Sequence, residues 1–157
     1  MSEKQTARAN VSERCLTGLK AFCDDHTVSR SVAFRVLNAI DVLELFERLC
    51  RRIELERQCV GIKRTSQALV LRALRSRLFG EGRGRLVAVY KRDLEVIDRL
   101  CKMLGMGHGG RDFVLSRVLG DYETIKIMSA ELRENPTIYQ TDIFRIRNVL
   151  DCPCEHD

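Results

Sequence analysis

Residues 85–104 read Arg85-Leu-Val-Ala-Val-Tyr-Lys-Arg-Asp-Leu-Glu-Val-Ile-Asp-Arg-Leu-Cys-Lys-Met-Leu104, and two hydrophobic periods meet within them. The first seven residues are rich in β-branched and aromatic side chains. They follow the breaker Gly80-Glu-Gly-Arg-Gly84, which predicts a strand. From Leu94 onward, Leu94, Ile97, Leu100, Cys101 and Leu104 fall at i, i+3, i+6, i+7 and i+10, one stripe of an amphipathic helix. Asp93 stands at its start as a candidate N-cap. The glycine-rich turn Met106-Gly-His-Gly-Gly110 then leads to a second helix carrying Val114, Leu115, Val118 and Leu119.

A similar pattern occurs earlier in the chain. Arg48-Leu-Cys-Arg51 returns as Arg99-Leu-Cys-Lys102, a spacing of 51. At that spacing Leu43, Phe46, Leu49, Cys50 and Ile53 match the stripe from Leu94 to Leu104, with Asp41 as the candidate cap. Leu69, Val70, Ala73 and Leu74 match Val114, Leu115, Val118 and Leu119 at a spacing of 45, with Thr65 and Ser66 as caps. Ahead of them, Ser31 to Leu37 supplies a candidate strand, although its apolar residues equally fit a helix continuing from Val28.

This reading divides the chain into an N-terminal arm and helix (1–29), a first strand-helix-helix unit (30–79), a linker (80–84), a second unit (85–128) and a tail (129–157). In the arm, Ser12 caps a helix with Leu16, Leu19 and Phe22 or Cys23 on one face. In the tail, Asn135-Pro136 is a break, and Ile143 to Val149 suits a strand or a short helix. The expected fold class is mainly α with a short two-stranded antiparallel ribbon.

Composition narrows the function. The chain has 157 residues, enough for one domain or two small units sharing a core, and 45% of them are hydrophobic. No apolar run approaches the ~20 residues of a membrane span. The polar start, Met1 to Asn10, lacks the apolar centre of a signal peptide. A soluble cytoplasmic protein without a membrane partner is expected, and its seven cysteines are expected to stay reduced. Cys152, Cys154 and His156 offer no second ligand group at a fixed spacing, so neither a metal nor another cofactor is expected. His26, His108 and His156 stand in no nucleophile or metal pattern, and the glycine turn lacks Gly-Lys-Ser/Thr, so catalysis is not expected.

Charge is uneven. Residues 30–92 hold 15 basic and 6 acidic side chains, leaving 12 basic and 16 acidic for the rest. Such a concentration is either a set of solvated helix faces or a phosphate-facing surface.

Taken together, strand, amphipathic helix, turn and second helix resemble the ribbon-helix-helix DNA-binding family, over roughly residues 30–128. The stretch Val114-Leu-Ser-Arg-Val-Leu-Gly-Asp-Tyr122 is most similar to accessory DNA-binding factors of T-DNA transfer. The resemblance implies a tandem pseudo-dimer: two units on one chain, their strands paired into a ribbon that enters the major groove of double-stranded DNA. A transcriptional regulator or a plasmid or T-DNA transfer accessory factor is implied, with other DNA-processing proteins as further partners. Arg35, Asn38, Arg85 and Val87 are then the expected base-reading residues. Lys63, Arg64, Thr65, Ser66, Lys91, Gly109, Gly110 and Arg111 are the expected phosphate-binding ones. On the second strand, Leu86, Ala88 and Tyr90 would pack inward and Arg85, Val87 and Val89 outward. On the first, the spacing of 51 exposes Phe34, Val36 and Asn38, and a slip by one exposes Ala33, Arg35 and Leu37. The alternative is an antitoxin-like module whose tail binds a partner protein.

Overall fold

The computed structural model describes residues 6–77 and 85–139. Its elements are β1 (Thr6–Val11), α1 (Glu13–His26), α2 (Arg30–Ala39), α3 (Val42–Val60), α4 (Gln67–Arg77), β2 (Arg85–Tyr90), α5 (Glu95–Met103), α6 (Arg111–Leu119) and α7 (Tyr122–Glu134). Short 3-10 turns at Lys91–Leu94 and His108–Gly110 precede α5 and α6. The fold is thus mainly α with one two-stranded antiparallel ribbon, as expected, but its first strand is elsewhere. β1 pairs with β2 so that Thr6 faces Tyr90, Arg8 faces Ala88 and Val11 faces Arg85.

The segment Thr6-Ala-Arg-Ala-Asn-Val11 alternates polar and apolar residues, the period of a half-buried strand. Ser12 ends it by capping α1, its hydroxyl accepting from the Cys15 N–H at 3.2 Å. Ser31 to Leu37, expected as a strand, is helix α2. Ser29 caps it through the Val32 N–H, and Val32, Ala33, Val36, Leu37 and Ile40 form a buried stripe at helical spacing. Local β-propensity yields there to a cap and a period of 3.6.

The order strand, helix, helix, helix occurs twice, as β1-α1-α2-α3 and β2-α5-α6-α7, with α4 between the two. From the strand to the end of the first helix, equivalent positions lie 78 apart. Ala9 and Val11 match Val87 and Val89; Leu19, Phe22 and Cys23 match Ile97, Leu100 and Cys101. The helix ends match as well. Thr27 and Gly105 both take the left-handed conformation, at φ 54° and 77°. The N–H groups of Thr27 and Val28 donate to Asp24 and Cys23, as those of Gly105 and Met106 donate to Lys102 and Cys101. Beyond this point the second copy is longer by the turn at 108–110.

The halves interlock. α3 packs across α5 and α6, and α7 across α1 and α2. Leu45, Leu49 and Ile53 are the buried stripe of α3, and Thr124, Met128 and Leu132 that of α7. α7 runs through residues 129–134, so the body of the fold extends past the expected start of the tail. Phe22, Phe34, Phe113, Leu100 and Leu115 fill the centre. Cys15 sits among them, its thiol donating to the Leu115 carbonyl at 3.3 Å, and burial pushes it up to about 12.

Asn38 is the polar clamp between halves. Its Nδ2 donates to the carbonyls of Phe34 (2.8 Å) and Asp93 (3.0 Å), and its Oδ1 accepts from the Val96 N–H at 2.8 Å. It thereby caps α5 from another helix, where the local N-cap position, Leu94, has no capping side chain. Asn38→Ala leaves these partners unsatisfied and is expected to lower stability by about 1–3 kcal/mol in denaturant unfolding. Asn38→Asp retains the cap but loses both donations, and an intermediate loss is expected.

Candidate nucleic-acid interface

The ribbon has an inner and an outer face. Ala9, Val11, Val87 and Val89 are buried, whereas Thr6, Arg8, Ala88 and Tyr90 are exposed. Cross-strand pairing aligns the outer row: Thr6 stands opposite Tyr90 and Arg8 opposite Ala88. This reverses the expected face of the second strand. Val87 is a core residue, not a base reader. The inner row is apolar on both strands because it lies over the helices, α6 passing directly behind β1.

Basic groups gather at one end of the ribbon. Lys91 and Arg92 follow β2 and are exposed, and the Arg92 guanidinium lies 5.3 Å from the Tyr90 ring centroid. Arg92 also approaches the Asp93 carboxylate at 3.8 Å. Asp93 is buried at 4% exposure and accepts from the Ser31 hydroxyl at 3.3 Å. Desolvation raises its carboxyl above the usual range, opposed in part by Arg92, Ser31 and Arg35.

The other expected site residues divide. Arg35 lies on α2, half-buried near Asp93 and Tyr139, and is not part of a strand. Asn38 is the interhelical clamp. Neither reads a base from the ribbon. Arg85 belongs to β2, and its side chain lies outside the described ones. Lys63, Arg64, Thr65 and Ser66 are exposed ahead of α4, where the Ser66 hydroxyl accepts from the Leu69 N–H at 3.4 Å. They are present as a basic helix start, but α4 follows α3 and is not the second helix after a strand.

Arg111 is at the start of α6, as expected, yet its guanidinium is engaged. Nε and Nη2 donate to the two carboxylate oxygens of Asp98 at 2.6 and 2.8 Å, a fork that raises the already high Arg111 pKa. Gly110 is there for packing: a Cβ on it would stand 2.8 Å from Met106 Cβ. Gly109 is exposed, and its carbonyl accepts from the Arg75 guanidinium of α4. α6 has no side-chain cap, whereas its counterpart α2 has Ser29, followed by exposed Arg30.

Thr6 and Arg8, the exposed outer positions of β1, lie in the segment expected as a polar N-terminal arm. Their signal was the strict alternation ending at the Ser12 cap. Among the described residues no group of three or more His, Cys, Asp or Glu is placed to hold a metal ion, and no helix is long and apolar enough to cross a membrane. The cluster of Cys152, Cys154 and His156 and the segment Ile143 to Val149 lie outside the described residues. No family model, curated protein or solved structure matches the chain.

Proposed function

We propose that this protein binds double-stranded DNA by laying the outer face of its ribbon in the major groove. The two halves act as a tandem ribbon-helix-helix pseudo-dimer formed by β1-α1-α2 and β2-α5-α6. The observation that carries the reading is the exposed row Thr6, Arg8, Ala88 and Tyr90 on a ribbon whose other face is core. A two-stranded ribbon fits a groove ~12 Å wide. Six-residue strands span about 17–20 Å, room for several base pairs. Phosphates flanking the groove would meet Lys91 and Arg92, and the first turns of α2 and α6. In this arrangement Arg30 takes the place that Lys63 to Ser66 were expected to fill.

The reading surface is unequal. β1 offers a hydroxyl and a guanidinium, and β2 offers Ala88 and the Tyr90 ring. Arg pairs bidentately with guanine, and small apolar groups suit the thymine methyl. An asymmetric site is therefore proposed rather than a palindrome. The protein would act as a transcriptional regulator or as an accessory factor in plasmid or T-DNA transfer.

Gel shifts of duplex DNA test this. Binding is expected at low salt, weakening steeply as salt rises, because each neutralised phosphate releases counterions. No shift of random duplexes or plasmid fragments at low salt would refute it. Light scattering of the free protein is expected to give a monomer of 18.0 kDa, since both strands come from one chain.

A further inference from the structure

The basic excess of the central region is not spread evenly. On α3 it is largely neutralised in place. Arg48, Arg51 and Arg57 pair with Glu44, Glu47 and Glu54, and Arg52 of α3 and Arg117 of α6 both reach Glu56. The next stretch, 61–77, is different. It contains Lys63, Arg64, Arg72, Arg75 and Arg77 and no acidic residue. Lys63, Arg64, Arg72 and Arg75 are exposed. This stretch includes α4, which follows α3 and lies between the two strand-helix-helix-helix runs.

α4 is held beside the second half at a defined place. Val70, Leu71 and Leu74 are its buried face. Along the edge of that face it forms a groove with the α5–α6 turn, where Leu71, Arg72 and Arg75 line one side and Leu104, Met106 and Gly107 the other. The Arg75 guanidinium donates to the Gly109 carbonyl in the turn that starts α6.

We propose that α4 is a second DNA-backbone-binding element, contacting phosphates beyond the ribbon's footprint on the side of the second half alone. The proposal rests on the ribbon reading, in which the first turn of α6 lies beside a phosphate. Arg75 is bonded to that turn, and Arg72 stands one helical turn away on the same helix. A guanidinium has five N–H donors, so a bond to Gly109 leaves others for a phosphate oxygen. Duplex backbone fits better than an anionic membrane surface, which calls for an exposed apolar row. Among the described residues Leu69 is the only large exposed hydrophobic on α4.

The test uses full-length protein and two duplexes carrying the same selected site, one trimmed to the ribbon's footprint and one extended by about a helical turn on each side. Anisotropy titrations over a salt series give log K against log salt for wild type and for Arg72→Gln/Arg75→Gln. On the extended duplex the slope is expected to become shallower by about 1.8, near 0.9 for each phosphate no longer neutralised. On the trimmed duplex wild type and variant are expected to coincide. Arg72→Gln alone leaves the Arg75–Gly109 bond in place and is expected to shift the slope by about 0.9. Lysine at both positions is expected to restore it. Equal slopes for wild type and both glutamine variants on the extended duplex would overturn the proposal. If Arg8→Ala still weakens binding to the selected site in that case, the ribbon reading stands while α4 is excluded. If wild type binds neither duplex, both fall.

Discussion

Val87→Asp is expected to unfold or severely destabilise the protein, whereas Ala88→Asp, one residue along the same strand, is expected to fold normally and lose DNA binding. The two positions differ only in which face of the ribbon they occupy. Val87 is 8% exposed and stands in the inner row with Val89, Ala9 and Val11. A carboxylate there is buried without a partner, at a cost of about 3–5 kcal/mol. That is a large part of the 5–15 kcal/mol typical of a domain. Ala88 is exposed opposite Arg8. A carboxylate there meets solvent in the free protein, so the thermal midpoint is expected to stay within a few degrees of wild type. Against DNA it places a negative charge at the centre of the ribbon, where like-charge juxtaposition costs several kcal/mol, a loss of about 100-fold or more. Melts followed by circular dichroism, together with gel shifts, separate the two outcomes. Had Val87 been the base reader, the results would be exchanged.

Arg8→Ala is expected to lose sequence preference more than bulk affinity. Arg8 is the exposed cation of the outer row on β1, directly opposite Ala88. A bidentate arginine–guanine contact discriminates by about 1–3 kcal/mol. The selected site should therefore weaken roughly 5- to 150-fold. A random duplex, held through phosphates, should weaken only by the share of one lost cation. Lysine in its place keeps the charge but not the planar fork and is expected to restore random binding alone. Competition between selected and random duplexes measures the ratio directly. An unchanged ratio in Arg8→Ala would remove Arg8 from base reading.

The second half of the fold was legible because its signals agree. Gly80 to Gly84 is a glycine-rich breaker in the sequence, Arg85 to Tyr90 has strand composition, and Leu94 to Leu104 keeps one helical stripe whose members are buried. The first half was misassigned by a true similarity between the wrong partners. α3 and α5 share Leu-Cys stripes 51 residues apart because both are amphipathic and pack against each other. They are not copies of one element. On α3 the stripe is also rotated: Leu43 is 60% exposed, and Leu45 is buried instead. The copy of α5 is α1, at a spacing of 78, visible in Phe22-Cys23 and Leu100-Cys101 and in matching helix ends.

The candidate site was less legible than the fold. A strand of six residues shows its face only through three alternate positions, and a slip of one inverts it. β1 carries alanine at two of its inner positions, a weak hydrophobic mark, so Thr6 to Val11 passed for a polar arm. Asn38 and Arg111 are polar residues near expected contact points, yet their partners, Val96 and Asp98, are fixed by tertiary packing that periodicity does not encode.

Dimethyl sulfate protection of a selected duplex tests the central claim most directly. The reagent methylates guanine N7 in the major groove and adenine N3 in the minor groove, so one experiment reports which groove the ribbon fills. Saturating protein is expected to shield guanine N7 over a few adjacent base pairs, leaving adenine N3 reactive, with protection of the guanine that Arg8 contacts weakened in Arg8→Ala. Unprotected N7 under a bound protein, or shielding confined to adenine N3, would contradict a ribbon seated in the major groove.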